Sequence, residues 1–278
     1  MVGRVLSSAC GLLVLGTALV AQQPAPKPPP LPETQALPAA PTAVEGSKVW
    51  IGRETEFEEF LRQAKVEKVQ NVPVGVTKPR RAFVTPGGPA ASFVFKNLMP
   101  SRKTGYWESY KSEIAAYELD KILGMGMVPP TVERKVGGET GSAQLWVEHC
   151  TLLRDRDTTK APDIAAWNRQ VYRHRIWDNL TANIDRNQGN LLMDQAWNLI
   201  LIDHSRAFTT QMTMPFPMVK IDREFYDKLK ALDAVTIKAR MGEWLFDGPK
   251  PILKRRDKII EHFDQMIAKY GEAAVFIK

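Results

Sequence analysis

Three polar residues in the second half of the chain have the types and spacing that phosphoryl-transfer chemistry needs. Asp185 stands in the run Asn183-Ile184-Asp185-Arg186-Asn187-Gln188-Gly189-Asn190, Asn190 follows it by five positions, and Asp203 comes after the strand-like stretch Leu199-Ile200-Leu201-Ile202. A carboxylate at Asp185 could orient an attacking hydroxyl and accept its proton. An amide oxygen at Asn190 and a carboxylate at Asp203 suit a hard cation such as Mg²⁺ or Mn²⁺, with water and phosphate completing the coordination. The competing reading is a surface hairpin with polar ends. Arg186 has two readings of its own, a binder of a substrate anion or a structural salt bridge within the loop.

These residues need elements to hold them, and the pattern predicts those elements. Phe57, Phe60 and Leu61 have helical spacing within Glu54 to Ala64. Arg81 to Thr85, a Pro86-Gly87-Gly88-Pro89 turn, and Ser92 to Lys96 read as strand, turn, strand. A helix is expected from Glu108 to Leu123, stopped by Gly124 and Pro129-Pro130, then a strand from Ser142 to Val147. Ile164 to Leu180 reads as a helix, with Trp167, Val171 and Ile176 on or near its buried face. A hairpin of Leu191–Met193 and Leu199–Ile202 follows, turned at Asp194 to Trp197. The remainder reads as helical: Phe225, Leu229 and Leu232 recur with helical spacing, as do Ile237, Met241 and Trp244. Pro251 opens a last helix with Ile260, Phe263, Ile267 and Tyr270 on one face.

The N-terminus lies outside that pattern. Arg4 precedes an apolar run from Val5 to Val20, and Ala18-Leu19-Val20-Ala21 offers small residues for cleavage before Gln22. This is the pattern of a secretory signal peptide over residues 1–21. A retained membrane anchor is the alternative, but about 16 residues is short for a span. Residues 22–44 carry eight prolines among Ala and Gln and read as an extended Pro-rich linker. The folded domain is expected at 45–278, with an N-lobe to about 148 and a C-lobe from about 149. Cys10 falls inside the apolar run, so only Cys150 would survive cleavage and no intramolecular disulfide could form.

Of the 278 residues, 44% are hydrophobic, enough for a sizeable core, and the net charge is +7. The densest basic runs, Arg80-Arg81 and Lys254-Arg255-Arg256, are not interleaved with aromatics, so no nucleic-acid partner is expected. The second run reads as the solvated face of a helix. His149 and His174 lack metal-ligand spacing with other His or Cys, which argues against zinc.

A resemblance then becomes specific. The segment Ser112-Glu113-Ile114-Ala115-Ala116-Tyr117-Glu118 with Val128-Pro129-Pro130, the strand Gly141 to Glu148, and the loop Asn183 to Asn190 with Asp203 after it resemble the atypical secretory-pathway kinases related to the Golgi casein kinase. The wider group, with HipA-type and phosphatidylinositol 3/4-kinases, shares the Asp-Arg-x-x-x-Asn loop and the later Asp. The similarity covers about 70 to 210. It implies an α+β, two-lobed kinase-like fold that uses ATP or another nucleotide with Mg²⁺ or Mn²⁺.

By that resemblance Lys96, at a strand end, would clamp the nucleotide phosphates. Its acidic partner should come from the helix, whose apolar arc is flanked by both Glu113 and Glu118. Periodicity does not choose between them; the resemblance chooses Glu113 and leaves Glu118 as a solvated flank. Glu148 would lie at the hinge beside the adenine. Two departures stand out. His204-Ser205 follows Asp203 where common protein kinases carry Phe-Gly, and no Gly-rich loop precedes Lys96. The stretch Val74 to Arg81 could cover the phosphates with Lys78 and Arg80 instead, or be only a basic turn.

The expected function is therefore an exported (periplasmic, secreted or secretory-lumen) phosphotransferase. It would pass the γ-phosphoryl group to a hydroxyl on protein, sugar or lipid, with no permanent membrane span after signal cleavage. The alternatives are a nucleotide-binding pseudokinase-like module and an adenylyl-transferring enzyme on the same fold.

Overall fold

Alternation of apolar and polar residues builds the first layer. The computed structural model describes residues 48–73, 78–103 and 106–277. Residues 1–21 and 22–44, read from the sequence as a signal peptide and a linker, and residues 74–77 of the basic stretch lie outside the described residues.

Helix α1 (Glu54–Gln63) precedes strands β1 (Val66–Asn71), β2 (Arg80–Val84) and β3 (Ser92–Lys96). A short hairpin, β4 (Ser101–Lys103) and β5 (Tyr106–Glu108), leads into helix α2 (Tyr110–Leu123). Strands β6 (Thr131–Val136) and β7 (Glu139–Leu145) then complete an antiparallel sheet of order β1-β2-β3-β7-β6. Side chains alternate across a strand, and directly paired residues share a face. The register Arg80↔Phe95 and Arg81↔Val94, with Lys96↔Ser142, therefore sorts the sheet into two faces. One carries Ala82, Val84, Phe93, Phe95, Ala143 and Leu145, which pack with Phe57 and Leu61 of α1. Arg134 fastens that layer by donating to the carbonyls of Leu61 and Ala64 at 2.6 and 3.0 Å. The other face carries Arg81, Val94 and Lys96 and receives α2.

Two strands, β1 and β6, are not expected from the sequence. They form the two edges of the sheet and are rich in charged residues, so apolar alternation is weak in them. The expected strand Ser142–Val147 lies instead at Glu139–Leu145. Gly141 is required inside it, because a Cβ there would fall 2.3 Å from the carbonyl oxygen of Lys96. Helix α2 starts two residues later than expected: Ser109 is its N-cap, and its hydroxyl accepts from the Lys111 amide at 3.0 Å. Gly124, at φ 60°, closes it in the left-handed conformation that glycine adopts without strain.

The second half is helical around a short sheet. Strand β8 (Thr151–Leu152) pairs with β9 (Leu191–Met193), which pairs with β10 (Leu199–Leu201). Helix α3 (Ile164–Thr181) lies before this hairpin. After it come β11 (Ile221–Asp222), α4 (Arg223–Ala231), α5 (Ala234–Met241), α6 (Lys250–Tyr270), α7 (Glu272–Val275) and β12 (Phe276–Ile277). Their core joins Trp177, Leu180, Met193, Leu199, Phe225, Ile259 and Phe263 to Ala115, Ala116 and Leu119 of α2. Helix α2 thus packs on the helical lobe as well as on the sheet.

The basic run in α6, expected as a solvated face, is solvated only in part: Lys254 is exposed and Arg256 half-buried. Arg255 is fully buried and donates to the carbonyls of Leu180, Thr209 and Gln211 at 2.7 to 2.9 Å. Helix ends leave carbonyls without partners, and this guanidinium satisfies one at the end of α3. Burial pulls its pKa down to about 10. Tyr270, expected on one face with Ile260, Phe263 and Ile267, is exposed, whereas Phe263 is buried. Among the described residues no helix is long and apolar enough to cross a membrane.

Candidate active site

Lys96 leaves the end of β3 on the face turned toward α2, and two carboxylates converge on its ammonium. Its Nζ lies 2.5 Å from Glu113 Oε1 and 2.7 Å from Asp203 Oδ1. Burial opposes the charge on Lys96, but Asp203 and Glu113 outweigh it and raise the pKa above the ordinary lysine value. Burial likewise works against the Asp203 carboxylate, and Lys96 overrides it, bringing the pKa down to about 2. Both groups are therefore charged throughout the neutral range.

Glu113 does a second job. Its Oε2 accepts the backbone amide of His204 at 2.9 Å, so one carboxylate ties the end of β3 to the turn after Asp203. Asp203 sits at φ 59°, in the left-handed region where short polar side chains are enriched. Ser205 Oγ donates to its Oδ1 at 3.1 Å. Glu118 does not approach Lys96. Nor is it a solvated flank: it is largely buried and pairs with Lys121 at 2.8 Å and Arg240 at 3.3 Å.

The loop between α3 and β9 is wound around Arg186. Its guanidinium binds Asp178 of α3 at 3.0 Å and donates to the carbonyls of Asn190 and Ile202 at 2.8 and 2.7 Å. The structural reading of Arg186 is the one seen, with its partner on the preceding helix rather than in the loop. Burial pushes the Asp178 carboxyl up, and Arg186 and Asn183 pull it part of the way back. Both side chains are almost wholly buried. Arg186→Ala would strand the Asp178 charge, so a loss of about 3–5 kcal/mol in unfolding free energy is expected. Urea denaturation checks this; a loss below about 1 kcal/mol, within the ordinary range of single substitutions, would show that the pair does not organise the loop.

His204 is fixed by the same network. Trp177 Nε1 lies 3.1 Å from its Nε2 and Arg186 Nη2 lies 3.0 Å from it. Two donors on one ring nitrogen make that nitrogen the acceptor and leave the proton on Nδ1. Burial first, then Arg186 and Lys96, holds its pKa well below the usual histidine value. His204 is a neutral packing group here, at the position where common protein kinases carry Phe.

Asp185 and Asn190 lie on the loop so formed. Asn190 Nδ2 donates to the Asp185 carbonyl at 3.2 Å, and its amide oxygen accepts no hydrogen bond among the described residues. The Asp185 carboxylate is partly exposed and pairs with Arg206 at 3.0 Å, and Arg206 also holds Glu108 at 2.7 Å. Glu108 and Arg206 were not singled out in the sequence. They lie 98 positions apart, and no local pattern signals the pair.

The basic stretch before Lys96 is arranged differently from expectation. Arg80 belongs to the face turned away from Lys96: it pairs with Glu139 and lies over the Phe95 ring at 5.0 Å. Arg81 is the residue on the Lys96 face, between Trp146 at 4.0 Å and Phe83 at 4.8 Å, and it pairs with Glu148. Lys78 is exposed beside residues outside the description. The choice between two adjacent arginines depends on register alone.

A cation could be held by oxygens of Asp203 and Asn190, since hard divalent ions take carboxylate and amide oxygens. Asp203 keeps one oxygen that accepts no hydrogen bond among the described residues. The donor set fits such an ion in type.

The architecture is similar to that of solved kinases. It matches the crystal structure of the Golgi casein kinase with Mn/ADP bound at a TM-score of 0.61 and 15% identity, covering 82% of this chain and 79% of that one. It matches hydra Fam20 with sugar at a TM-score of 0.57 and 16% identity, covering 79% of this chain and 90% of that one. The chain has an atypical kinase-like fold. No protein-family model matches it, and no curated protein matches it in sequence. At such identities the likeness establishes the kinase-like fold and leaves activity to be argued from the site.

Proposed function

We propose that this kinase-like chain is an exported phosphotransferase that moves the γ-phosphoryl group of ATP or another nucleoside triphosphate to a hydroxyl. The observation that carries the reading is the convergence of Lys96, Glu113 and Asp203, with Asp185 and Asn190 on the loop beside them. Lys96 would hold nucleotide phosphates, kept charged and aimed by Glu113. Asp203 and Asn190 would hold Mg²⁺ or Mn²⁺, which would neutralise charge on the phosphates. Asp185 would orient the acceptor hydroxyl and take its proton. The face of Arg81, Trp146 and Glu148 would receive the base. The Mn/ADP complex of the structurally similar Golgi casein kinase supports the cofactor assignment. Export rests on the N-terminal segment, residues 1–21, together with the linker 22–44 and a folded domain at 45–278.

A binding module with the same fold is the second reading. It is favoured by the pairing of Asp185 with Arg206, which occupies the carboxylate needed for proton transfer. Mass measurement after incubation with ATP, Mg²⁺ or Mn²⁺ and a panel of peptide, sugar and lipid-headgroup hydroxyls tests both. A phosphate adduct is expected; an adenylate adduct would assign the other transfer, and no adduct with any acceptor would favour the binding module.

A further inference from the structure

A cavity of about 470 Å³ lies in the helical lobe, behind the loop that carries Asp185 and Asn190. Its walls come from the segment after β8, from α3, from residues 186–188 of the loop and from Phe216. Neither Lys96, Glu113, Asp185 nor Asp203 lines it, so it is distinct from the site above.

The chemistry of its lining is one-sided. Arg156, Arg175, Asn168 and Gln188 supply donors, Trp167 and Phe216 supply aromatic walls, and none of the described lining residues is acidic. Arg186 also reaches this wall, but Asp178 already neutralises it. Arg175 has no hydrogen bond or ion pair among the described residues. Arg156 donates through Nε to Thr151 Oγ1 at 3.0 Å and lies over the Trp197 ring at 5.7 Å, and it has no acidic partner among the described residues. Partly buried charges are usually paired, and among the described residues neither guanidinium has a carboxylate partner. His174, also in the lining, adds no acid and stays neutral: burial, then Arg186 and Arg175, brings its pKa down to about 3.

The cavity walls are held in place before any ligand arrives. Asn179 grips the backbone of Phe216 through both its amide atoms, at 2.8 and 3.1 Å. Gln170 fixes the Trp197 carbonyl and the Leu199 amide at 3.0 and 2.7 Å, and Trp197 packs edge-on against Trp167. Small-molecule sites are concave, mostly apolar, largely pre-formed and fall in the range of roughly 300–1,000 Å³.

We propose that this cavity is a second ligand site, taking a small organic anion: a phosphate ester or carboxylate on an aromatic or aliphatic body. Arg156 and Arg175 bind the anionic group, Trp167 and Phe216 cover the body, and Gln188 brings the occupant against the loop between Asp185 and Asn190. The inference does not rest on the chain being an enzyme, because the site contains none of the proposed reacting groups.

Titration calorimetry on the full folded protein tests it, with phenyl phosphate and phenylacetate as probes, inorganic phosphate as the bare anion and benzyl alcohol as the neutral counterpart. Binding of at least one aromatic anion is expected, tighter than inorganic phosphate and absent for benzyl alcohol; which anion binds identifies the head group. Arg156→Gln and Arg175→Gln should each weaken it about tenfold or more, the size of a lost charge-assisted hydrogen bond. Arg175→Lys should recover part of the loss, which separates lost charge from lost folding. No binding of either aromatic anion at millimolar concentration, or binding unchanged in the double glutamine variant, would overturn the proposal. Neither result bears on phosphoryl transfer, which the adduct mass reads separately.

Discussion

Asp203→Ala is expected to remove metal-dependent nucleotide binding and all turnover while the folded state persists. Asp203 is the carboxylate proposed to hold the cation, and among the described residues the other acidic side chain paired with Lys96 is Glu113. The substitution leaves Lys96 paired with Glu113 at 2.5 Å, so no buried charge is stranded and the core is untouched. Thermal unfolding with ATP and Mn²⁺ measures the effect. Saturating ligand, at about a hundred times its dissociation constant, adds about 2.7 kcal/mol to a protein that binds it, and the variant should lose that whole increment. The depressed pKa of Asp203, about 2, sets a companion expectation. Its stabilising pairing with Lys96 is present above the unfolded carboxyl value of about 4 and is lost only as pH falls toward 2. The site should therefore keep this ion pair at pH 5. A nucleotide-induced shift as large in the variant as in the parent would remove Asp203 from the metal assignment.

Asp185→Asn should separate binding from chemistry. The carboxylate is 45% exposed, and its partner Arg206 keeps Glu108 at 2.7 Å, so little stability should be lost. Nucleotide affinity should stay within a few fold, because Lys96 and Asp203 are unchanged. Turnover should fall by roughly 10²–10⁴, the range for loss of a general base. Initial rates at saturating ATP with the best acceptor from the panel would show it. Equal rates in variant and parent would mean that this loop does no proton transfer, and the binding-module reading would gain.

What the chain alone determined was local. Alternating Phe93 and Phe95 put Lys96 at a strand end, and the Asp-x-x-x-x-Asn spacing put Asp185 and Asn190 on one loop before a hairpin that ends near Asp203. Such features are legible because strand alternation, helix spacing and turn residues act within a few positions. Helix periodicity left Glu113 and Glu118 on opposite flanks of one apolar arc, and the fold separated them by giving Glu118 to Lys121 and Arg240. The two arginines at 80 and 81 differ only in strand parity, and pairing with β3 sent Arg81, not Arg80, to the face of Lys96. Arg255 looked like surface because charge runs usually are; it is buried because carbonyls of Leu180, Thr209 and Gln211, far off in sequence, need donors. The bond from Arg206 to Glu108 and Asp185 likewise joins segments with no sequence signal in common. Short-range periodicity set the elements and the spacing of the reacting groups. Long-range hydrogen bonding and packing decided which side chains meet, because those energies depend on partners that only the folded chain brings within reach.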